Sequence, residues 1–316
     1  MSYLALLAET FIVTGPIFLI VVLGIVLKRL DVMNDAFVAQ SSRIVFSICL
    51  PVLLFTSISG LSLGEDLDMG IVNFSLFASI GTFLLSWLVA MLAVWPREDR
   101  GVFVQGCFRS NLGVVGLALC SNAYGEPGLA LASILMASMT VIYNILSVVV
   151  LSAYQGQERI NWLTILRDIG TNPLILAILL ALLVAALQLP VPQLIQRTGQ
   201  YLGSLALPLA LLGTGASMNL RALRHSSLVA LLCVVMKTLL LPALVTLGAW
   251  YLGYGGMELA VLFLLFVSPT ATASYIMVKS MGGNDVLAAN IIMVTTVVAL
   301  FTASFGLFLL NVLKLV

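Results

Sequence analysis

The chain has 316 residues, of which 61% are hydrophobic and 9% are charged, and its mean hydropathy is +1.17. A soluble domain is about 45–50% apolar and about 25% charged, so this composition excludes a soluble globular enzyme. The 14 basic and 13 acidic residues nearly cancel, to a net charge of +1. Nucleic-acid binding would require a basic excess that this chain lacks. The sequence therefore predicts a protein embedded in a lipid bilayer.

The apolar residues fall into ten segments that are long enough to cross a bilayer. A membrane-spanning helix needs about 20 mostly apolar residues to cross about 30 Å of hydrocarbon. The connections between these segments are short, so no soluble domain fits between them. We number the segments spans 1 to 10 in chain order; they lie near residues 9–27, 36–59, 70–95, 101–124, 127–151, 172–189, 194–217, 227–251, 257–280 and 286–312. The sequence therefore predicts an all-α polytopic membrane protein with ten transmembrane helices.

Lysine and arginine residues are concentrated in alternate connections. Such residues favour the cytoplasmic side of a membrane. With the N-terminus outside, the cytoplasmic connections hold Lys28, Arg29, Arg97, Arg100, Arg159, Arg167, Arg221, Arg224 and Lys279. The outside connections hold an acidic cluster, Glu65, Asp66 and Asp68, and two basic residues, Arg197 and Lys314. We therefore predict that both the N-terminus and the C-terminus lie outside.

The spans lack the residue clusters typical of catalysis or metal binding. Four cysteines fall inside spans without the spacing of metal ligands: Cys49, Cys107, Cys120 and Cys233. His225, the only histidine, lies in a cytoplasmic connection, and we interpret it as incidental. An intramembrane enzyme would need a Ser/His cluster, paired aspartates or metal ligands at one depth. We therefore expect no enzymatic activity, no metal and no cofactor.

The two halves of the chain share a proline pattern. Pro16 opens span 1 and Pro173 opens span 6, at an offset of 173 − 16 = 157 residues. The same offset aligns Pro51 of span 2 with Pro208 of span 7. Because five is an odd number of spans, the second half must enter the membrane from the opposite side, and such inverted repeats are typical of secondary transporters. The sequence therefore predicts two inverted five-helix repeats, residues 1–157 and residues 158–316.

Span 4 has the composition of a broken helix. Arg109 lies about 12 Å from the start of this span, at a rise of 1.5 Å per residue. Ser110, Asn111, Gly113 and Gly116 surround it, and glycine, serine and asparagine favour unwound backbone over helix. We therefore predict a break in span 4, with the two glycines as hinge residues.

Span 9 has a break signal at the equivalent position of the second repeat. Pro269 removes a backbone donor and clashes with the preceding turn. The hydroxyls of Ser268, Thr270 and Thr272 can bond the carbonyls that such a break frees. Secondary transporters place their substrate near the midplane, at broken helices in equivalent positions of two repeats. We therefore predict a substrate site where spans 4 and 9 approach each other, with Pro269 as a third hinge.

The deep charges of the chain are all positive. The N-termini of two half-helices would direct partial positive charge at the predicted site, and Arg109 adds a full charge. Arg43 and Lys237 also lie deep in spans, whereas the glutamates of the spans lie at the outer edge: Glu9, Glu126 and Glu258. A buried cation needs a partner or an aqueous cavity. The sequence therefore predicts an anionic substrate.

The predicted substrate-binding residues are Arg109, Ser110, Asn111, Ser268, Pro269, Thr270 and Thr272, with Arg43 and Lys237 as auxiliary charges. Each group of residues has a purely structural alternative. Arg109 can donate hydrogen bonds to the carbonyls of the break. Arg43 and Lys237 can extend their charges to the membrane surface or act in gating. The hydroxyls can serve solely to bond the backbone carbonyls that the break frees. The sequence leaves these alternatives open.

Several motifs resemble the auxin efflux carrier family. They are FRSNLG at residues 108–113 in span 4, SPTATASY at residues 268–275 in span 9, and MGGN at residues 281–284. The pattern is similar in particular to the bacterial branch, whose members are described as malonate or carboxylate permeases. The resemblance covers essentially the whole chain.

This resemblance implies a bile-acid-symporter-like fold in which the broken spans 4 and 9 cross. Spans 1, 2, 6 and 7 would form a scaffold and the surface of a homodimer, and spans 3–5 and 8–10 would form a transport domain that moves by an elevator mechanism. Asn111 occupies the position of the family's crossover asparagine, and Pro269 that of its proline. Plant members have a long central loop instead of residues 155–168, which here suggest a short interfacial helix. They also commonly have an apolar residue and a proline instead of Arg109 and Gly116, so a smaller carboxylate fits this chain better than auxin.

These observations together predict a secondary transporter that moves a small organic anion across the inner (plasma) membrane of a bacterium. The anion is a carboxylate such as malonate, or an auxin-like acid. The expected partners are this anion, the lipid bilayer and a second copy of the chain, and no nucleic acid. The alternative is a sodium-coupled symporter of amphipathic organic acids. Because the spans have no deep carboxylate or histidine for a proton relay, uniport and sodium coupling both remain open.

Overall fold

Helices account for the regular secondary structure of the computed structural model. The structure describes residues 3–60, 69–155, 167, 170–218 and 227–316, with side chains from Thr10 onward except that of Gln155. The helices of this part are α1 (Tyr3–Arg29), α2 (Asp35–Ile58), α3 (Met69–Ala93), α4 (Asp99–Phe108), α5 (Leu112–Tyr154), α6 (Pro173–Ala186), α7 (Gln193–Ser204), α8 (Ala206–Ala216), α9 (Leu228–Tyr251), α10 (Gly256–Val267), α11 (Ala273–Ser280) and α12 (Asp285–Val312).

Some sequence predictions concern residues that lie outside the described ones. These are the acidic cluster Glu65, Asp66 and Asp68, the interfacial helix within residues 156–166, and the cytoplasmic residues Arg159, Arg221, Arg224 and His225. The side chain of Glu9 lies outside them as well.

Several helices are long and apolar enough to cross a membrane. In the described residues they are Thr10–Arg29, Asp35–Ile58, Met69–Ala93, Leu112–Tyr154, Leu228–Tyr251 and Asp285–Val312, and two shorter apolar helices are Pro173–Ala186 and Gly256–Val267. This pattern confirms the prediction of an all-α polytopic membrane protein. The number of ten spans and the inverted repeat stay predictions.

Helix boundaries differ from the span windows at two places. In span 7 the chain forms two helices, α7 and α8, which meet at Leu205. Pro208 lies in the first turn of α8, where a helix tolerates the missing backbone N–H. Spans 4 and 5 meet without a loop, because α5 turns sharply at Gly125, with φ 61° and ψ −145°. A glycine adopts this positive φ without the steric penalty that a Cβ atom would add.

Three helices contain a π-helical turn, a feature that hydrophobic periodicity does not predict. The turns are Val45–Cys49 in α2, Leu112–Gly116 at the start of α5 and Met236–Leu240 in α9. In α2 and α9 a proline, Pro51 or Pro242, follows the turn within two residues. Proline removes the i→i−4 hydrogen bond and crowds the carbonyl four residues before it, and a π turn accommodates both effects. Such turns frequently occur at functional sites.

The helices form two packed groups, which contact each other mainly where α1 packs against α12. In one group, α1 packs most extensively against α8, and α2 packs against α6 and α7. The α1–α8 contact depends on small residues, because a Cβ atom at Gly24 or Gly215 would collide with the backbone of the other helix. In the other group, α3, α4 and α5 pack against one another, and α9, α10, α11 and α12 pack around them. The breaks described below lie in this second group.

Two contacts join the ends of helices that are distant in sequence. The side-chain amide of Asn284 donates to the Asp99 carboxylate at 2.9 Å, and the backbone N–H of Gly256 donates to the Leu315 carbonyl at 2.7 Å. The predicted topology places the members of each pair on one side of the membrane. The orientation of these sides in the cell stays a prediction.

Candidate functional site

Two helices end in the middle of the second group, and their ends lie side by side. The non-helical segment that follows α4, residues 109–111, is called the first break. The non-helical segment that follows α10, residues 268–272, is called the second break. The central residues Ser110 and Thr270 lie opposite each other as an isolated antiparallel bridge. The breaks in spans 4 and 9 therefore form one structural unit.

Backbone hydrogen bonds hold the two breaks together. The N–H of Asn111 donates to the Pro269 carbonyl at 2.7 Å, and the N–H of Ala271 donates to the Arg109 carbonyl at 3.0 Å. Unsatisfied backbone groups are costly inside a membrane protein. Each break therefore supplies hydrogen-bond partners to the other.

Hydroxyl groups of the second break bond the carbonyls at the ends of the interrupted helices. The Thr270 hydroxyl crosses to α4 and donates to the Gly106 carbonyl at 2.6 Å. The Ser268 hydroxyl donates to the Leu264 carbonyl of α10 at 2.7 Å. Both side chains are buried. In this conformation their protons serve to repair the helix ends, and only their oxygen lone pairs are left for a ligand.

Lys237 reaches the breaks from the π turn of α9. Its side chain is 1% exposed. The ammonium group donates to the Ser110 hydroxyl and, at 3.2 Å, to the Phe266 carbonyl near the end of α10. The C-terminal end of a helix carries partial negative charge, so this position stabilises the ammonium ion. Lys237 therefore connects α9 to both breaks.

Arg43, the other predicted auxiliary cation, has a different environment. Its side chain on α2 is exposed. The ion pair of the described residues joins Lys28 to Asp35 at 2.5 Å and does not involve Arg43. The structure thus places Lys237, and not Arg43, in contact with the breaks.

The guanidinium group of Arg109 is surrounded by neutral side chains of other helices. Nη2 donates to Asn144 Oδ1 at 2.8 Å and Nη1 donates to Ser147 Oγ at 3.2 Å, both on α5. Nη1 also contacts the Met277 sulfur on α11. Arg109 is 8% exposed, and it has no carboxylate partner in the part of the chain that the structure describes. Its charge is therefore held without a counter-ion among the described residues.

Aromatic packing fixes the start of the first break. Phe108, the last residue of α4, stacks edge-to-face on Phe83 of α3 and on Tyr143 of α5, with ring centroids 5.2 Å and 5.4 Å apart. The Tyr143 hydroxyl lies beside Ser79 and Ser110. This packing determines where the helix ends and from which point the Arg109 side chain extends.

Two of the predicted binding residues keep side-chain groups available. Asn111 is 7% exposed, and its amide does not cap the following turn. Thr272 is exposed at the start of α11. Neither side chain forms a hydrogen bond with another residue of the described ranges. Both therefore have donors and acceptors free for a ligand.

The two predicted hinge glycines of α5 have different surroundings. A Cβ atom at Gly116 would lie 3.0 Å from Leu265 Cδ2 and 3.3 Å from Ser268 Oγ, so α5 and α10 approach each other closely here. A Cβ atom at Gly113 would meet only Met136 Sδ, at 3.6 Å, which is an ordinary contact distance. Close packing thus requires a glycine at position 116 and not at position 113.

Sequence reasoning did not identify Asn144 and Ser147. They lie one turn apart in a span that otherwise has the composition of an ordinary apolar helix. The signal available in the sequence was their spacing, because two polar residues at i and i+3 lie on one face of a helix. Their partner, Arg109, lies 35 residues before Asn144 and 38 residues before Ser147, and no local pattern specifies that pairing.

Comparisons with known proteins identify membrane transporters as relatives of this chain. A family model described as "Membrane transport protein" matches residues 13–307. An uncharacterized transporter of Methanothermobacter thermautotrophicus is 25% identical over 90% of this chain and 93% of its own length. An uncharacterized transporter of Methanocaldococcus jannaschii is 22% identical over 93% of this chain and 97% of its own length.

A third relative has a substrate in its name. A protein of Rhizobium meliloti named "Putative malonate transporter" is 26% identical over 94% of this chain and 94% of its own length. These relatives match the chain over nearly its full length, and the family model covers both breaks. The chain therefore belongs to the membrane transport protein family, the family of auxin efflux carriers that its span 4 and span 9 motifs resemble.

Proposed function

We propose that this membrane transporter is a secondary carrier for a small organic anion, a carboxylate such as malonate or an auxin-like acid. One observation carries the proposal: the Arg109 guanidinium lies at the first break with neutral partners alone in the described part of the chain. An uncompensated charge in a low-dielectric interior costs several kcal/mol. A substrate carboxylate that binds there supplies the missing negative charge.

The residues around the breaks divide the task of binding. Arg109 binds the carboxylate, and Asn111 and Thr272 donate hydrogen bonds to it. The N-terminal ends of α5 and α11, which follow the breaks, add partial positive charge. Ser110, Ser268, Pro269 and Thr270 hold the unwound backbone in place.

The proposed architecture is two inverted five-helix repeats, residues 1–157 and 158–316, that form ten spans. The pairing of one break from each half supports it. Helices α1, α2, α6, α7 and α8 form the scaffold, and the other helices form a transport domain that moves by an elevator mechanism; the two packed groups support this division. We propose a homodimer through the scaffold, in the inner (plasma) membrane of a bacterium, with both termini outside.

Malonate is the first substrate to test, because one relative is named for it. We expect purified protein in proteoliposomes to take up radiolabelled malonate with saturable kinetics and to exchange internal for external malonate. The Arg109→Gln variant should lose this uptake. Wild-type uptake that is unsaturable, or an Arg109→Gln variant that transports normally, would contradict the proposal.

The same assay separates the alternative, a sodium-coupled symporter. Uptake is measured with an inward sodium gradient and then with choline in place of sodium. A carrier without sodium coupling gives equal rates under the two conditions. Uptake that requires sodium identifies the coupled symporter instead.

A further inference from the structure

Two residues of α5, Asn144 and Ser147, hold the Arg109 guanidinium. We propose that Asn144 and Ser147 are positioning residues that keep the Arg109 guanidinium oriented and uncompensated, so that its charge is available to the substrate carboxylate. This inference rests on the proposed role of Arg109 in anion binding. It assigns a function to α5, which the sequence motifs do not include.

The hydrogen-bond geometry defines the orientation. A guanidinium group has five N–H donors. Asn144 accepts from Nη2 at 2.8 Å, and Ser147 and the Met277 sulfur share Nη1. The Nε–H and one Nη2–H are left without an acceptor among the described residues. Two neighbouring N–H groups of arginine bind a carboxylate in bidentate fashion.

Both side-chain oxygens that accept from Arg109 are neutral. The amide oxygen of Asn144 orients the guanidinium without cancelling its charge, whereas a carboxylate at this position would form an internal ion pair. The amide nitrogen of Asn144 has no acceptor among the described residues, so it offers further donors beside Arg109. Asn144 is partly exposed and Arg109 retains 8% exposure, so neither side chain is completely enclosed by the described residues.

The test compares two substitutions of nearly equal size, Asn144→Asp and Asn144→Leu. Asn144→Asp keeps an acceptor at the guanidinium but adds the internal counter-ion. We expect it to raise the apo unfolding temperature and to weaken malonate binding by at least about tenfold, since ion pairing removes the charge that the ligand needs. Asn144→Leu removes the acceptor and keeps the charge, so binding should weaken by only about two- to fivefold.

A purely structural role for Asn144 predicts the opposite order of malonate affinity for the two variants. In that case the aspartate variant, which still accepts from Arg109, binds malonate almost as well as the wild type, and the leucine variant is the weaker binder. Calorimetric dissociation constants and unfolding temperatures of the full-length protein distinguish the two orders. Asn311→Asp is the matched control, because the Asn311 side chain bonds only within α12, and this substitution should leave malonate affinity unchanged.

If the aspartate variant does not fold, Ser147→Ala provides a second test of the positioning role. This variant removes one neutral acceptor, and we expect malonate binding to weaken by about two- to fivefold. Unchanged affinity in both Ser147→Ala and Asn144→Leu would overturn the positioning role while the proposed transport function stands. A wild-type protein that binds none of malonate, acetate and indole-3-acetate would overturn the proposed function and this inference together.

Discussion

The residues at the breaks form two sets with different surroundings. The packed set is Gly116, Lys237, Ser268 and Thr270, which are buried and already bonded or in close contact. The open set is Arg109, Asn111, Gly113 and Thr272, which keep exposed surface, unused donors or room for a side chain. Two cations that lie at the same break can therefore have different tasks. Lys237 completes the protein's own hydrogen bonds, whereas Arg109 has donors left for a ligand.

The largest expected effect comes from Arg109→Gln, which removes the charge of the open set. We expect the malonate dissociation constant to rise by about a hundredfold, or about 2.7 kcal/mol. The unfolding temperature should not fall, because the substitution removes a buried charge without a counter-ion. Calorimetry and thermal unfolding measure the two quantities. Retained malonate affinity would place Arg109 in the packed set.

Lys237→Met tests the packed set, and we expect mainly a loss of stability. The Phe266 carbonyl and the Ser110 hydroxyl lose their partner, and an unsatisfied buried group costs about 1–3 kcal/mol. Removing the Lys237 charge gives little compensating relief, because the partial negative charge at the end of α10 already stabilises the ammonium ion. The unfolding temperature should therefore fall, while the malonate dissociation constant changes by less than about threefold. If Lys237→Met instead abolishes malonate binding and unfolds at the wild-type temperature, Lys237 belongs to the open set.

The two hinge glycines provide a matched pair. We expect Gly116→Ala to lower stability by about 1 kcal/mol, because overpacking at Leu265 and Ser268 forces a shift. Gly113→Ala should leave stability unchanged or raise it slightly, since its Cβ atom fits beside Met136. Thermal unfolding of the two variants checks this difference. If both variants changed the unfolding temperature equally, the close approach of α5 and α10 at Gly116 would not distinguish the packed set from the open set.

The smallest effect is expected for Thr272→Val. This substitution keeps the shape of the side chain and removes one exposed hydroxyl. We expect malonate binding to weaken by about two- to fivefold, in line with one lost hydrogen bond, and the unfolding temperature to stay unchanged. Thr270→Val is the comparison, because its hydroxyl bonds Gly106 and its loss should lower stability instead.

The features that could be predicted from the sequence are those with a local cause. Apolar composition predicts the polytopic helical fold, and Pro269 and the residues around Arg109 indicate where helices are interrupted. Other features depend on contacts between distant residues. The neutral environment of Arg109 requires Asn144, which lies 35 residues away, and the bond of Lys237 to Ser110 spans 127 residues.

Depth in a span was also a poor guide to surroundings. Arg43 and Lys237 both occupy interior positions of apolar spans, yet Arg43 is exposed and Lys237 is 1% exposed. Which side of a helix faces a neighbour depends on packing between helices. Sequence position along one helix does not determine it.

The most direct test of the central claim is a structure of the protein with bound malonate, determined by cryo-electron microscopy. We expect a carboxylate group of malonate to lie at about 2.7–2.9 Å from Arg109 nitrogens, while Asn144 and Ser147 keep their contacts. Malonate bound away from Arg109, with the guanidinium still held only by its neutral partners, would contradict a role for Arg109 in anion binding.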